Sequence, residues 1–521
     1  MMKPFSVPRG VVDMLTVAFG SFCLMVIELI AGRIMAPTLG VSIYTWTSII
    51  AVILAGITLG NAAGGMVADR AGSRSTLGKI FIVSGLATLM IVYTGRTMDR
   101  YFAGSMESLL FSTLYYSIMV FLPPAFFLSF VTPMVVKLAL TDLAKTGTTV
   151  GRLYASSAAG SILGTVMTGY FFIEWFGTTA IANGIALSLV VVGLLHLGNV
   201  QLLKSRSFPL VLLLFLGSWA LPSSCTRESQ YYCIIIKPWE LPGGSTGSIV
   251  RLDHLVYSFL LPDDRTGVAM LGYSYERAFA QLVAMEQTTA DPFRAFYIGG
   301  GGYVGPRYFT AVYPNSDNTV SEIDPVVTQV NKDLLSLPTS ERLRTVNQDA
   351  RIALKQMSPE TKYDYIFGDA FNDFAVPYHL TTREFNQLVK AHLTPDGWYA
   401  LNVIDDPRSG RFVSSIVKTL EQDFSNVTLM PDPSQAPINH RTTFVVLASD
   451  AALDRERWNK AKLPVEIPDM VANTTTGTSS ETMMLSDPKG LNAWIAQKNA
   501  IVLTDNFVPV DTMVAPLFTR R

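Results

Sequence analysis

The sequence predicts an α-helical polytopic membrane bundle of about seven spans, fused to an α/β domain on a Rossmann-like parallel sheet that a small N-terminal β-hairpin sheet precedes. Three observations carry this. Apolar residues make up 49% of the 521 residues and charged ones only 16%, against about 25% charged in soluble chains. The apolar excess lies before residue 222, in runs of about 20 residues, the helical length that crosses a hydrocarbon core about 30 Å thick. From about residue 228, short β-rich runs alternate with amphipathic helical patterns, as in right-handed βαβ units on a parallel sheet. The expected divisions are 1–222 (membrane helices), 223–290 (β-rich) and 291–521 (Rossmann-like).

The spans read in order as 12–35, 43–68, 76–95, 108–140, 150–172, 178–198 and 207–222, the fourth broken by Pro123-Pro124 and Pro133. Gly56, Gly60 and Gly64 in the second, and Gly160 and Gly164 in the fifth, recur every four residues and let helices approach closely within the chain. Glu28 and Arg33 are ionisable residues inside the first span; Glu28 is expected to hydrogen-bond another helix and Arg33 to snorkel. Arg70, Arg74, Lys79, Lys137, Lys145, Arg152, Lys204 and Arg206 mark one side together with Lys3 and Arg9, so the N-terminus is expected in the cytoplasm. "GMVADRAGSR", Gly65 to Arg74, resembles the G-x-x-x-D-R-x-G-x-R signature of major facilitator transporters, which implies the same orientation; an anchor or scaffold is preferred to a permeation unit. "MMKPFSVPRG" runs into a full span without a small-residue cleavage site, so no cleavable signal peptide is expected.

Seven crossings would put the C-terminal half outside the cytoplasm. That suits a Cys225–Cys233 disulfide, although two free thiols fit the sequence as well, and it suits an enzyme using a cytosolic nucleotide badly. Three cysteines give no zinc site of the usual spacing, and His254, His379 and His392 are not spaced as ligands, so no metal is expected. A net charge of −1 supplies no basic field for nucleic acid.

In the C-terminal half, "YYCIIIKPW" and "SIVRLDHLVYSFLL" read as antiparallel strands bounded by the turn-rich "ELPGGSTG", and "YSYERAFAQLVAMEQ" as a helix. "AFYIGG", "NTVSEID", "LRTVNQD", "YDYIFGDA" and "GWYALNVI" read as strands alternating with the helices "PVVTQVNKDLL", "ARIALKQM" and "TREFNQLVKAHL". "NVTLMPD" and "TTFVVLAS" close the sheet antiparallel, and the last 70 or so residues are less legible. "YHLTTREF" is a helix entry capped by Thr381 or Thr382, with Glu384 in its first turn, and is expected to wall a ligand pocket with Glu276.

The glycine run Gly299 to Gly302, with Gly305 beyond, follows the first parallel strand, where backbone can approach a ligand. A phosphate cradle would need G-x-x-x-x-G-K-[ST], and no such Lys follows. Instead, acidic residues end the strands: Glu322 and Asp324 about 20 residues on, where a carboxylate accepts from ribose hydroxyls, then Asp349, then Asp369 and Asp373. Acidic strand ends without a phosphate-binding cation point to a cationic adenosine ligand, an S-adenosyl sulfonium compound.

Taken as an ordered set, "YIGGGGYVGPRYF", "SEIDPVV", "NQDAR", "YDYIFGDAFND", "LDHLVYSF" and "YSYERAF" resemble the spermidine synthase family of aminopropyltransferases, in its membrane-fused bacterial branch. The resemblance implies a methyltransferase-type Rossmann-like fold and transfer of an aminopropyl group from decarboxylated S-adenosylmethionine, a co-substrate, to an amine such as putrescine; no bound prosthetic group is expected. It places Gly299, Gly300, Gly301, Glu322, Asp349 and Ala350 at the nucleoside, Tyr275 and Glu276 at the amine, and Asp373 supported by Asp369 as catalytic base. The partners implied are the amine, the S-adenosyl compound and the bilayer, with a homodimer left open. The family's Asp after three glycines is here Gly302, its D-x-x-D-P is one residue longer without the Pro, its His beside Glu276 is absent, and Tyr232 stands for its first-strand Gln. These departures fall on the amine side. An S-adenosylmethionine-dependent methyltransferase, or a polyamine transporter with a ligand-sensing domain, are the rival readings.

Overall fold

A computed structural model describes residues 8–102, 109–198, 208–221, 223–240, 246–260, 271–370, 376–432, 442–465, 488–515 and 517. They divide into two units, Met1–Ser224 and Cys225–Arg521.

Among the described residues of the first unit, six helical stretches are long and apolar enough to cross a membrane. They are α1 (Arg9–Leu39), α2 (Ile43–Ala71), α3 (Arg74–Phe102), an interrupted pair α4 (Leu109–Leu128) and α5 (Val131–Ala139), then α6 (Thr146–Met167), which runs through a π-helical turn at Thr168–Phe172 into α7 (Ile173–Trp175), and α8 (Thr178–Leu197). The expected seven spans are corrected to six among the described residues: there α9 (Phe208–Ala220) has 13 residues, about 20 Å at 1.5 Å per residue, short of the hydrocarbon thickness. The break in the fourth stretch is also displaced. Pro123 and Pro124 lie within α4, and the interruption comes at Ser129 and Phe130. Pro133 is the third residue of α5, where a missing N–H forfeits little.

The glycines explain how these helices pack. A β-carbon on Gly60 would stand 2.3 Å from the Phe126 carbonyl oxygen, and one on Gly160 2.0 Å from that of Ala18. Backbone therefore meets backbone where α2 crosses α4 and α6 crosses α1, and any side chain there would force the pairs apart.

The second unit opens with a four-stranded antiparallel sheet of β1 (Arg227–Glu228), β2 (Cys233–Glu240), β3 (Thr246–Leu252) and β4 (Leu255–Leu260). Cys225 and Cys233 are joined by a disulfide across its first hairpin, with Cα atoms 5.3 Å apart. Asp253 turns the β3–β4 hairpin at φ 52°, and its Oδ1 accepts from the Cys233 N–H at 2.8 Å. Most of the expected turn "ELPGGSTG" lies outside the described residues.

After α10 (Ser274–Glu286) come β5 (Arg294–Ile298), α11 (Val304–Val312), β6 (Asp317–Ser321), α12 (Pro325–Leu334), β7 (Leu343–Val346), α13 (Ala350–Gln356), β8 (Tyr363–Gly368), α14 (Arg383–Ala391), β9 (Leu393–Asp405), α15 (Arg411–Leu420), β10 (Asn426–Pro431) and β11 (Thr442–Ser449). The seven strands order as β10-β11-β9-β8-β5-β6-β7. β5 to β9 are parallel, while β10 and β11 are antiparallel. β5, with four of five residues buried, reads as the near-continuous apolar run of a strand covered on both faces. Its two faces feed two cores, one through Phe296 and Ile298, the other through Tyr297 with Phe309 and Phe367. Leu491, Leu503 and Val510, from the less legible end of the sequence, pack into the first core, and Arg351 is bound there to Asp505 at 2.5 Å.

The chain runs outward from β5 to β7, then crosses back to β8 on the other side of β5, so β5 and β8 flank the topological switch point. Register sets their ends level: Ile298 pairs with both Ser321 and Gly368. Gly299, Glu322 and Asp369, each one residue further on, therefore meet at one edge, where open α/β sheets bind ligands.

Candidate functional site

The glycine run turns the chain away from β5 over that edge. Gly299 has φ 96° and Gly301 φ 50°, conformations that cost a side-chain-bearing residue about 1–2 kcal/mol. Space is the stricter demand at Gly299, where a β-carbon would lie 2.6 Å from the Asp369 carbonyl oxygen. Tyr303 then enters α11 at φ 58°, held by its hydroxyl 2.9 Å from that of Thr328.

Glu322 fastens the turn. Its Oε2 accepts from the N–H groups of Gly300 at 2.8 Å and Gly301 at 3.3 Å, and its Oε1 from that of Asp324 at 2.9 Å. Burial nonetheless pushes its carboxyl above the usual range, the three N–H donors opposing. Asn331 anchors the other side of the loop by donating to the Gly301 carbonyl at 2.8 Å. Asp349 caps α13 through the Ile352 N–H at 3.1 Å, and its other oxygen stands 2.7 Å from His379 Nε2. Burial works against its charge, but the His379 ring and the helix N–H groups hold it below the ordinary carboxylate range.

Asp369 is the junction. Tyr275 donates its hydroxyl to Oδ2 at 2.9 Å, and Asn402 of β9 donates to Oδ1 at 3.0 Å. Desolvation raises its carboxyl, with both donors pulling the other way. Glu276, 7% exposed, accepts the Tyr273 N–H at 2.9 Å at the start of α10. Its carboxyl is pushed up to about 8, chiefly by burial and also by Asp369.

Two cavities meet here, sharing Gly299, Gly300, Gly301 and Asp369 as walls. The first is bordered by Tyr232, Glu322, Ile323, Gln348, Asp349, Ala350 and His379. The second is bordered by Ser258, Tyr275, Glu276, Phe279, Tyr297, Phe309 and Phe367, its rings packed at centroid distances of 5.0 Å for Phe279–Phe367 and 5.2 Å for Tyr297–Phe367. Tyr275, Glu276, Gly299, Gly300, Gly301, Glu322, Asp349, Ala350 and Asp369 all border these two cavities. Asp373 lies outside the described residues. One placement differs from expectation: Pro377, His379 and Leu380 wall the first cavity, not the one with Glu276, because the segment after β8 folds back toward α13. Thr382 is the cap of α14, accepting from Phe385 N at 3.4 Å.

Sequence reasoning missed Asn402 and Ser258. A polar residue inside the apolar run "YALNVI" was a signal for the first, since a buried amide needs a partner. Ser258 explains Gly302: a β-carbon there would fall 2.4 Å from the Ser258 Cβ and Oγ, and the Gly302 N–H donates to that Oγ at 3.1 Å. No acidic side chain fits at Gly302 while Ser258 stands opposite. Among the described residues no cluster of His, Cys, Asp or Glu could hold a metal ion.

No family model matches the chain. It is 33% identical over 136 residues to a polyamine aminopropyltransferase of Vibrio vulnificus, 26% of this chain and 46% of that protein. It is 26% identical over 159 residues to a "probable polyamine aminopropyl transferase" of Bifidobacterium longum, 30% of this chain and 34% of that one. The chain therefore spans less than half the length of the curated relatives it matches. Among solved structures, a probable spermidine synthase from Corynebacterium glutamicum aligns over 54% of this chain and 97% of its own at 20% identity, with a TM-score of 0.44.

Proposed function

We propose that this chain, a membrane-fused relative of the polyamine aminopropyltransferases, transfers an aminopropyl group from decarboxylated S-adenosylmethionine to an amine such as putrescine. The observation that carries the reading is the meeting of two unlike cavities at Asp369 and the Gly299–Gly301 turn. One is edged by backbone and acidic strand ends suited to an adenosyl group; the other is aromatic, with Glu276 and Asp369 as its charges.

In this reading Glu322 holds the ribose. Its Oε2 already accepts two N–H groups and its Oε1 one, so Oε1 keeps a second lone pair for a hydroxyl. Asp349 and Ala350 flank the adenine, and Tyr275 and Glu276 border the amine. The acceptor amine, with a pKa near the 10.4 of a lysine, arrives protonated and must lose a proton before it attacks. Asp373 is the proposed proton acceptor. Asp369, fixed by Tyr275 and Asn402 and made more basic by burial, supports it and orients the nitrogen. The nitrogen lone pair forms a bond to the aminopropyl carbon as the bond from that carbon to sulfur breaks. The bonding electrons pass to sulfur, and neutral methylthioadenosine leaves.

The six apolar helices make this a membrane protein, and the arginine and lysine distribution supports a cytoplasmic N-terminus in a bacterial inner membrane. The experiment is product analysis by mass spectrometry after mixing detergent-purified protein with decarboxylated S-adenosylmethionine, S-adenosylmethionine and a panel of amines. Amine-dependent methylthioadenosine is expected. S-adenosylhomocysteine would replace this reading with methyl transfer, and nucleoside binding without product would replace it with a ligand-sensing domain.

A further inference from the structure

The membrane unit holds a cavity of about 690 Å³ that neither catalysis nor helix packing uses, bordered by Arg9, Asp13, Arg74, Thr149 and Arg152. Its charges do not balance. Asp13, 4% exposed, is paired with Arg74, which accounts for the lone carboxylate. Among the described residues no carboxylate lies within ion-pair distance of Arg9 or Arg152, so two cationic groups border the space unanswered. Arg74 is itself only half satisfied, because its Nη1 is buried without a hydrogen-bond partner among the described residues, a state that is costly unless something accepts from it. Helices α1 and α3 begin at Arg9 and Arg74, so the positive ends of two long helices add to the same field.

We infer that this cavity binds a phosphate-bearing anion. Guanidinium groups from three different helices suit a tetrahedral oxyanion with several acceptor oxygens, where forked donors exceed a point charge in selectivity. The three arginines lie on the side where basic residues accumulate, the side on which basic pockets between membrane helices meet anionic headgroups. The same phosphate chemistry is offered by an acidic phospholipid headgroup and by a soluble phosphorylated compound, and the test separates them.

The full chain, purified in detergent and delipidated, is titrated with phosphatidylglycerol and with phosphatidylcholine under native mass spectrometry, and separately with inorganic phosphate while thermal unfolding is followed. R9Q/R152Q is the variant of choice, since it spares the Arg74–Asp13 pair; R74Q alone would strand a buried carboxylate, so D13N/R74Q accompanies it. The expected result is preferential uptake of phosphatidylglycerol by the wild type and a loss of about 30-fold in its affinity in R9Q/R152Q, about a factor of five per guanidinium. Stabilisation by inorganic phosphate with no preference between the two lipids would also uphold the site and assign it to a soluble ligand. Equal uptake of both lipids by wild type and variant, with no response to phosphate, would overturn the inference and leave a water-filled cavity.

Discussion

Replacing Glu276 by Gln keeps the shape of the side chain and an oxygen for the Tyr273 N–H, and removes only the titration. In the wild type the carboxyl rises from its ordinary 4.5 to about 8, through burial first and the neighbouring Asp369 second, against the Tyr273 N–H and Arg277. A carboxyl whose folded pKa exceeds its unfolded one binds its proton more tightly when folded. Its contribution to stability is therefore fully present below pH 4.5 and is lost as pH rises toward 8, after which the loss is constant. At about 1.4 kcal/mol per pH unit, that window sums to roughly 5 kcal/mol. Wild type and E276Q should thus unfold alike at pH 4 to 5 and diverge steadily, E276Q being the more stable by pH 9. Thermal unfolding of the detergent-purified chain across this range measures the divergence. The wild-type-minus-E276Q infrared difference spectrum should show a protonated carboxyl stretch at pH 6 that disappears around pH 8. Parallel pH profiles for the two proteins, or a carboxyl band already absent at pH 6, would refute the reasoning. The same titration bears on function: a bound ammonium must expel this proton, so amine KM should fall as pH rises toward 8 in the wild type and not in E276Q.

Three other outcomes follow from the geometry. D369N keeps the hydrogen-bonding shape at the junction of the two cavities but removes its charge, and should lower turnover by about 10²–10³-fold as methylthioadenosine release; unchanged turnover would remove Asp369 from the chemistry. G302D drives a β-carbon to 2.4 Å from Ser258 and should destabilise the C-terminal unit by about 1–3 kcal/mol, recovered in G302D/S258G; a G302D protein as stable as the wild type would refute the packing account. C225S/C233S removes the cross-link over the eight-residue separation and should cost about 2.5 kcal/mol; in the wild type Cys225 and Cys233 should resist alkylation in untreated cells, and labelling without prior reduction would show the pair to be open.

The fold was legible where period and apolarity agree. The parallel strands around "AFYIGG" and "YDYIFGDA" and the closing antiparallel pair lie where their patterns put them, because buried strands admit little besides apolar runs. The membrane helices were legible by length, but not their count, since α9 is as apolar as its neighbours and, over the described residues, too short. The interruption at Ser129 was hidden because a proline within a helix reads as a break whether or not the chain bends there. At the site, the glycines and Glu322 announced themselves through spacing. Asn402, Ser258 and Asp13 did not, because each matters through a partner 33, 44 or 61 residues away.

The two cavities differ in what it would take to change them. The first cavity, proposed above for the nucleoside, is built from backbone: Gly299 is glycine because the β8 end passes within 2.6 Å of where its β-carbon would be, and Glu322 faces that turn because β5 and β6 end in register. Altering it means rebuilding the edge of the sheet. The second cavity, proposed above for the amine, is built from side chains carried by β4 and α10, with Ser258, Gly302 and Glu276 setting its space and charge. Single substitutions suffice to alter it, and this is where the chain departs from the pattern it resembles. Among the described residues, Glu276 and Asp369 are the acidic groups bordering that cavity. Both are raised by burial, so an amine entering there in the proposed reaction would meet the proton that Glu276 keeps up to about pH 8.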